Sequence, residues 1–187
     1  MENTVVNIHQ EVVDGCIAGD RAAQYRFYKL YAKAMLHICY RMLRDEEAAQ
    51  DVCQEAFISA FSNFQSYKGD ASVGSWLKRI VVNKALDFLR KKKDFIIALN
   101  DNEHDRVEEE EGSCEDTQAS VQVVKEAIDA LPAGYRTVLT LYLFEGYDHK
   151  EIAEILNISE STSKTQYNRA KAKLKEQLKH LRHEAHG

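Results

Sequence analysis

The chain has 187 residues, 44% of them hydrophobic, and a formal net charge of −5 at pH 7. This length suits one ordinary domain or two small ones, and a single proline among abundant helix-forming residues predicts an all-α fold. The chain has no run of about eighteen apolar residues and no charged-then-apolar leader at its amino terminus. We therefore expect a cytoplasmic protein with no membrane insertion.

Consecutive amphipathic helices are predicted for a first domain at residues 14–93. Between residues 22 and 43, apolar side chains recur at intervals of three and four, as on one face of a helix: Tyr25, Tyr28, Tyr31, Met35, Ile38 and Met42. Asp45 suits the N-cap of the next helix, because carboxylates follow it in the first turn. The inward side chains of that helix are predicted to be Ala48, Val52, Ala56 and either Ile58 or Ala60.

A polar loop at residues 66–72 and a basic helix from about Ser75 to Lys93 complete this domain. The spacing predicts an apolar side formed by Leu77, Ile80, Val81, Lys84 and Phe88. The opposite side is predicted to carry Trp76, Arg79, Asn83, Leu86, Asp87 and Arg90. Aromatic rings beside cations suit single-stranded nucleic acid, because bases stack on rings and phosphates bind cations. The alternative is that Trp76 belongs to the core.

The net charge comes from one segment. Residues 101–116 contain nine acidic side chains and one basic one, Arg106, so this stretch carries −8 and leaves +3 for the rest of the chain. Residues 94–120 contain too little apolar surface to offset the entropy cost of ordering, which predicts a flexible acidic linker. An ordered acidic lid is the alternative.

The cysteines and the carboxy-terminal histidines do not predict a metal or a cofactor. Four cysteines, at positions 16, 39, 53 and 114, are widely spaced and form no C-x-x-C pair, so we expect reduced thiols packed as small apolar residues. His180, His183 and His186 lie three apart without ligand partners in motif spacing, which favours a solvated helix end over a metal site.

The last segment, residues 121–182, has the pattern of a helix-turn-helix. Pro132 is predicted at the first position of a new helix. Asp148 and Glu151 have the spacing of a capping box, ahead of the apolar stripe formed by Ile152, Ala153, Ile155 and Leu156. Asn157 tolerates the left-handed conformation of a tight turn, and Ser159 can cap a second helix beginning near Glu160. This order of elements is typical of DNA-reading proteins.

The second helix of this motif is predicted to have three separate faces. Its apolar face consists of Tyr167, Ala170, Leu174, Leu178 and Leu181. The opposite face consists of Ser161, Thr165, Asn168, Arg169 and Ala172, with flanking lysines at Lys164, Lys171 and Lys175. Such a helix fits the major groove, where small residues allow close approach and lysines neutralise phosphates. A solvated amphipathic helix is the alternative, and the capped helix and turn before it favour DNA.

Taken together, these segments resemble the sigma-70 family of bacterial RNA polymerase sigma factors, in its extracytoplasmic-function group. Residues 45–57 resemble the core-polymerase-binding helix of sigma domain 2, and residues 64–93 resemble the part of that domain that melts and reads the minus-ten element. Residues 131–171, with Leu131-Pro132, Tyr135-Arg136 and Phe144–Tyr147, resemble the helix-turn-helix domain 4. No intervening third domain fits.

The resemblance implies a factor, not an enzyme, that binds core RNA polymerase and directs it to specific promoters. It also implies an anti-sigma partner. Polymerase binding is implied for Asp51, Gln54, Glu55 and Phe57. Minus-ten DNA binding is implied for Tyr67, Lys68, Trp76, Arg79, Asn83 and Arg90. Minus-thirty-five DNA binding is implied for Ser161, Thr162, Lys164, Thr165, Asn168, Arg169 and Lys171.

Three positions depart from the family pattern. Asp148 replaces the usual Ser or Thr cap, and Asn157 replaces the usual turn Gly, and both are chemically acceptable. Ser163 stands where the family has a buried Val or Ile. This last change predicts a recognition helix that packs less firmly.

Two other classes of function fit the residues less well. A response regulator or a repressor would share only the helix-turn-helix and would leave residues 45–57 and 76–90 unexplained. Such a repressor would bind its operator alone, whereas a sigma factor needs core polymerase. An enzyme is not indicated, because the chain has no Gly-rich phosphate loop, nucleophile motif or H-E-x-x-H spacing.

Overall fold

The structure is a computed structural model that describes residues 9–92, residue 95 and residues 121–184, the last five of these by backbone alone. The described residues form helices and turns without a strand, which confirms the all-α prediction. The chain divides into two compact units, with the boundary between Lys91 and Lys92. Of the predicted linker only Phe95 is described, and its side chain is buried. The linker and its limits therefore stay a prediction.

Residues 9–91, the described part of the amino-terminal unit, form four helices and one short turn of 3₁₀ helix. They are α1 (Gln10–Ile17), α2 (Arg21–Leu43), α3 (Glu46–Ser62), the 3₁₀ turn (Phe64–Ser66) and α4 (Val73–Arg90). Helices α2, α3 and α4 pack on one another, and α1 packs on α2. As predicted, Asp45 caps α3, its carboxylate accepting a hydrogen bond from the Ala48 N–H at 3.0 Å. Asp20 and Ser72 cap α2 and α4 in the same way.

The buried stripe of α2 differs from its prediction in the first half of the helix. Met35, Ile38 and Met42 are buried as expected. Tyr25 and Tyr28, however, are 64% and 40% exposed, and the buried residues of these turns are Ala23 and Phe27. Intervals of three and four fit two alternative faces here. Packing of α2 against α3 and α4 buries the face that carries Phe27, whose ring has no polar group.

An aromatic cluster forms the centre of this unit. The ring of Phe27 lies 4.7 Å from that of Tyr31 and 5.1 Å from that of Phe64, measured between centroids. Phe57 and Phe61 of α3 meet the same ring at 6.5 Å and 6.0 Å. The cluster therefore joins α2, α3 and the 3₁₀ turn through edge-to-face contacts that aromatic pairs prefer.

Residues 121–184 of the carboxy-terminal unit form four helices. They are α5 (Val121–Asp129), α6 (Ala133–Leu139), which continues as a π-helical turn (Thr140–Phe144), α7 (His149–Leu156) and α8 (Glu160–Glu184). Helix α8 packs on α5, α6 and α7, around a core of Leu131, Leu139 and Ala170. Pro132 is the N-cap of α6 and not its first helical residue, so the helix begins one position later than predicted. The nearly buried Arg136 guanidinium donates to the Leu131 carbonyl at 2.6 Å, which closes the corner between α5 and α6.

Three of the four cysteines are described, and all three are buried free thiols: Cys16, Cys39 and Cys53. Burial raises the pKa of the Cys16 thiol to about 11, so this group is protonated at neutral pH. Cys114 lies outside the described residues, as do the side chains of the three carboxy-terminal histidines. Within the described ranges, no helix combines the length and the apolar character needed to cross a membrane.

Candidate functional site

The helix-turn-helix forms as the sequence predicts, through interactions between residues three positions apart. The Glu151 N–H donates to the Asp148 carboxylate at 2.8 Å, and the Asp148 N–H donates to the Glu151 carboxylate at 2.8 Å. Asn157 is the C-cap of α7, and its φ of 57° and ψ of 49° are left-handed. The Ser159 hydroxyl then accepts a hydrogen bond from the Thr162 N–H at 3.0 Å and caps α8. The motif is confirmed.

The capping box gives a direct test of this local structure. Replacing Asp148 with Ala is expected to destabilise α7 by about 0.5–2 kcal/mol, because one N–H loses its acceptor at the helix start. Replacing Asp148 with Ser keeps an acceptor there and is expected to cost far less. Hydrogen exchange of the α7 amides measures both. Equal loss of protection in the two variants would contradict a capping role.

The predicted minus-thirty-five residues lie on successive turns of α8, with different exposures. Ser161, Lys164, Thr165 and Lys171 are exposed, whereas Thr162, Asn168 and Arg169 are half-buried. The inner side of the helix carries three fully or almost fully buried residues: Ser163, Gln166 and Ala170. The predicted apolar face is confirmed where it is described, with Tyr167, Leu174 and Leu178 half-buried around Ala170.

Hydroxyl groups cluster at the amino-terminal end of α8. The Ser159 hydroxyl lies 2.8 Å from those of Ser161 and Thr162, and the Thr165 hydroxyl donates to the Ser161 carbonyl at 2.9 Å. A helix N-terminus with its partial positive charge and hydroxyl donors is a favourable environment for phosphate.

Two lysines of this face already contact partners on their own helix. The Lys164 ammonium lies 2.7 Å from the Glu160 carboxylate and lowers the pKa of that carboxyl group. The Lys171 ammonium lies 4.8 Å from the centre of the Tyr167 ring. Exposed ion pairs contribute little to stability, so Lys164 can exchange Glu160 for a phosphate at small cost.

Ser163 has a partner that sequence analysis missed. Its hydroxyl lies 2.9 Å from Nδ1 of His149, across the interface between α7 and α8. The prediction of weaker packing was based on the loss of an apolar side chain at this position. The structure pairs a hydroxyl with an imidazole instead. No pattern connects two residues fourteen positions apart, so only the packing of the two helices could reveal the pair.

The basic helix α4 presents most of the predicted polar stripe to solvent. Arg79, Asn83, Asp87 and Arg90 are exposed. The Arg90 guanidinium lies 3.3 Å from the Asp87 carboxylate. Leu86, predicted on the same side, is fully buried, so that assignment is wrong. The reason is that Val82, Leu86 and Leu89 lie on a second inward row, which faces the helices packed against α4.

Trp76 combines the two alternatives proposed for it. Its side chain is half-buried, with its ring 5.0 Å from that of Phe64 and 5.6 Å from that of Tyr67. Tyr67 is also half-buried, and its hydroxyl donates to the Ala71 carbonyl at 2.6 Å, which braces the polar loop. Lys68 in this loop is exposed. Trp76 therefore belongs to the edge of the aromatic cluster and is partly exposed.

One face of α3 carries the predicted polymerase-binding residues, with one exception. Asp51, Gln54 and Glu55 are exposed, but Phe57 is only 3% exposed and packs against Phe27 and Tyr28. The assignment of Phe57 to the docking surface is therefore wrong, since its ring belongs to the core. Ile58, which is 65% exposed, is the apolar residue that shares a helical face with the three polar ones.

The fold and these surfaces define a class of two-domain, all-helical DNA-binding proteins. Family models for sigma-70 region 2 and sigma-70 region 4 match residues 27–95 and 122–174. Together these ranges cover more than half of the sequence. Region 2 precedes region 4, and the amino-terminal and carboxy-terminal units follow the same order. The chain belongs to the sigma-70 family, in the extracytoplasmic-function group.

Curated relatives and solved structures agree with this family. The chain is 33% identical over 173 residues to the sigma factor SigW of Bacillus subtilis (strain 168), covering 87% of this chain and 92% of that protein. It is 31% identical to SigM of Mycobacterium tuberculosis, covering 91% and 85%. The fold is similar to that of RpoE from Bartonella quintana, solved with the anti-sigma factor NepR, at a TM-score of 0.56, 21% identity and coverage of 83% and 96%. CnrH, solved with the cytosolic domain of CnrY, has the same TM-score and identity, with coverage of 91% and 96%.

Proposed function

We propose that this protein binds core RNA polymerase in the cytoplasm and directs it to specific promoters, as an initiation factor without enzymatic activity. The observation that carries this proposal is the exposed face of α3, formed by Asp51, Gln54, Glu55 and Ile58, in the same chain as a helix-turn-helix. A repressor has no need for such a face, and the match to sigma-70 region 2 includes it.

The α3 face combines three polar side chains with an aliphatic one that is 65% exposed. A partner that covers this aliphatic side chain removes its apolar area from water, which favours binding. Lys84 of α4 lies 3.9 Å from the Glu55 carboxylate and adds a cation beside the acidic positions. We assign core polymerase to this face.

Single-stranded DNA of the minus-ten element is assigned to α4 and the polar loop. Arg79, Asn83 and Arg90 follow one another along the exposed side of α4, and Lys68 and the partly exposed rings of Tyr67 and Trp76 lie at its beginning. Cations track phosphates while the rings offer stacking surfaces to unpaired bases. This combination supports single-stranded over duplex DNA.

Duplex DNA of the minus-thirty-five element is assigned to α8. Ser161 and Thr162 lie at the phosphate-favouring helix start, and Thr165, Asn168 and Arg169 follow on the next turns. Lys164 and Lys171 flank these positions. We place the two DNA-reading domains at residues 14–93 and 121–182, joined by the acidic linker 94–120.

An anti-sigma factor is the further partner that we propose. Two solved structures with the same fold are complexes of a sigma factor with NepR or with the cytosolic domain of CnrY. The exposed rings of Tyr25 and Tyr28, together with Ile58, give this chain apolar surface that such a partner could cover.

Transcription with purified components tests the proposed function. Core polymerase from the source bacterium, loaded with this protein, is expected to select discrete promoters from a pool of randomised sequences. Neither component alone should do so. Failure of the protein to co-purify with core polymerase would overturn the proposal.

A variant of α8 separates DNA reading from polymerase binding. Replacing Arg169 with Ala is expected to reduce transcription from a selected promoter by about ten-fold or more, because an arginine contact to a base edge contributes about 1–3 kcal/mol of discrimination. Co-purification with core polymerase should stay unchanged. Lys179→Ala is the matched control, since it removes a positively charged side chain about 15 Å further along the same helix. Equal effects of the two variants would contradict the assignment.

A further inference from the structure

His149 contacts two other elements of the carboxy-terminal unit through one ring. It stacks on Tyr142 of the π-helical turn, at a centroid distance of 4.6 Å and an interplanar angle of 17°. It meets Tyr167 of α8 edge-on at 5.6 Å, and the two tyrosine rings are 4.6 Å apart. Its Nδ1 atom lies 2.9 Å from the hydroxyl of Ser163, also on α8. His149 itself is the first residue of α7.

The contacts of His149 lie directly behind the proposed DNA-reading face. Ser163 is fully buried and stands between Thr162 and Lys164, both assigned to DNA. Tyr167 supports the Lys171 ammonium above its ring at 4.8 Å. A change in how α8 sits against His149 would therefore move the proposed phosphate and base contacts together.

We propose that His149 is a positioning residue for DNA reading, which fixes the rotation of α8 against α7 through Ser163 and Tyr167. This inference rests on the proposed function of α8. A hydrogen bond is directional, whereas an apolar contact permits a helix to rotate through a range of angles. The polar pair therefore specifies one rotational setting at a position where the resemblance implies an apolar contact.

The charges around the ring make this arrangement sensitive to protonation. The ionisable groups that face it are Asp148, Glu160, Lys164 and Lys171, with the phenols of Tyr142 and Tyr167. Burial, followed by repulsion from Lys164, lowers the pKa of His149 below its ordinary value of 6.5. The folded state therefore favours the neutral ring. The neutral His149 ring stabilises the folded state fully above about pH 6.5, and this stabilisation is lost as the pH falls through the lowered pKa.

Four variants test the proposal in the full-length protein loaded on core polymerase. His149→Phe keeps an aromatic ring but removes the hydrogen bond, and Ser163→Ala removes the same bond from the other side. The double variant removes both groups. His149→Asn places an amide near the position of Nδ1, so it keeps a hydrogen-bonding group but does not titrate.

His149→Phe and Ser163→Ala are each expected to reduce transcription from a selected promoter by about five-fold, the scale of one hydrogen bond, while polymerase binding is unchanged. The double variant should be about as active as the less active of these two single variants, because both mutations remove the same hydrogen bond. His149→Asn should stay active at pH 7.5, and its activity relative to wild type should rise as the pH falls below 6.5 and through the lowered pKa of His149.

The outcomes separate this inference from the proposed function. If the wild-type protein initiates and the single variants match it, or if their losses add in the double variant, the positioning role is overturned. If the wild type itself never initiates, the proposed function fails first. Should His149→Phe fail to fold in a thermal melt, the smaller Ser163→Ala change and the pH profile of His149→Asn decide the question.

Discussion

Replacing Phe27 with Ala is expected to destabilise the amino-terminal unit by about 3–5 kcal/mol, the range for truncating a buried phenylalanine. The ring is 1% exposed and contacts four other aromatic rings, from Tyr31, Phe57, Phe61 and Phe64. Because these rings belong to α2, α3 and the 3₁₀ turn, no single side chain can move into the space. Each kcal/mol shifts the Tm of a unit of this size by about 4–8 °C, so the Tm should fall by at least about 12 °C.

The chain provides its own reporter and control for this experiment. Trp76 is the single tryptophan and touches the cluster through Phe64, so its fluorescence follows unfolding of this unit. Tyr25→Ala is the matched control, because Tyr25 lies two residues away on α2 and is 64% exposed. Its effect should stay within about 0.5 kcal/mol. Similar Tm losses in both variants would contradict the central role of Phe27.

Replacing Ile58 with Asp is expected to weaken binding to core polymerase by about 30-fold or more. That is the scale of an interface hot spot, because the change places a charge where the proposed contact needs apolar surface. The folded protein should tolerate the change, since the side chain is 65% exposed in the free chain. Affinity is best measured with labelled protein titrated against core polymerase, with a thermal melt alongside.

Val121→Asp is the control for the added charge. Val121 is 81% exposed and belongs to the other unit, so Val121→Asp also replaces an exposed aliphatic side chain with a carboxylate, but outside α3. Its polymerase affinity should equal that of the wild type. If Ile58→Asp also binds normally, the α3 face is not the docking surface, and its exposed isoleucine needs another partner.

The structure revises how the docking and DNA-reading faces were assigned from sequence. Phe57 and Ile58 are neighbours in the chain, and both are apolar, so composition alone could not decide which one faces the partner. Helix α3 turns about 100° per residue, and the position of α2 determines which of the two is covered. The ring contacts of Phe57 with Phe27 and Tyr28 show the result. Leu86 was misplaced for the same reason, since α4 is covered on two rows.

The sequence by itself determined the features that depend on neighbours within one helical turn. The caps at Asp45, Asp148 and Ser159 and the left-handed Asn157 all follow from hydrogen bonds or backbone preferences that span at most three residues. The family resemblance also needed no coordinates, because its motifs occur in order along the chain. These features therefore yielded the helices, the turn and the division into two units.

Only the tertiary structure decided which side chains face inward and which partners they meet. The choice of Phe27 over the exposed tyrosines depends on helices that are distant in sequence, and so does the pairing of Ser163 with His149. Burial of apolar area and the alignment of a hydrogen bond across an interface are properties of two packed surfaces. The periodic pattern of one helix contains no information about the surface that packs against that helix.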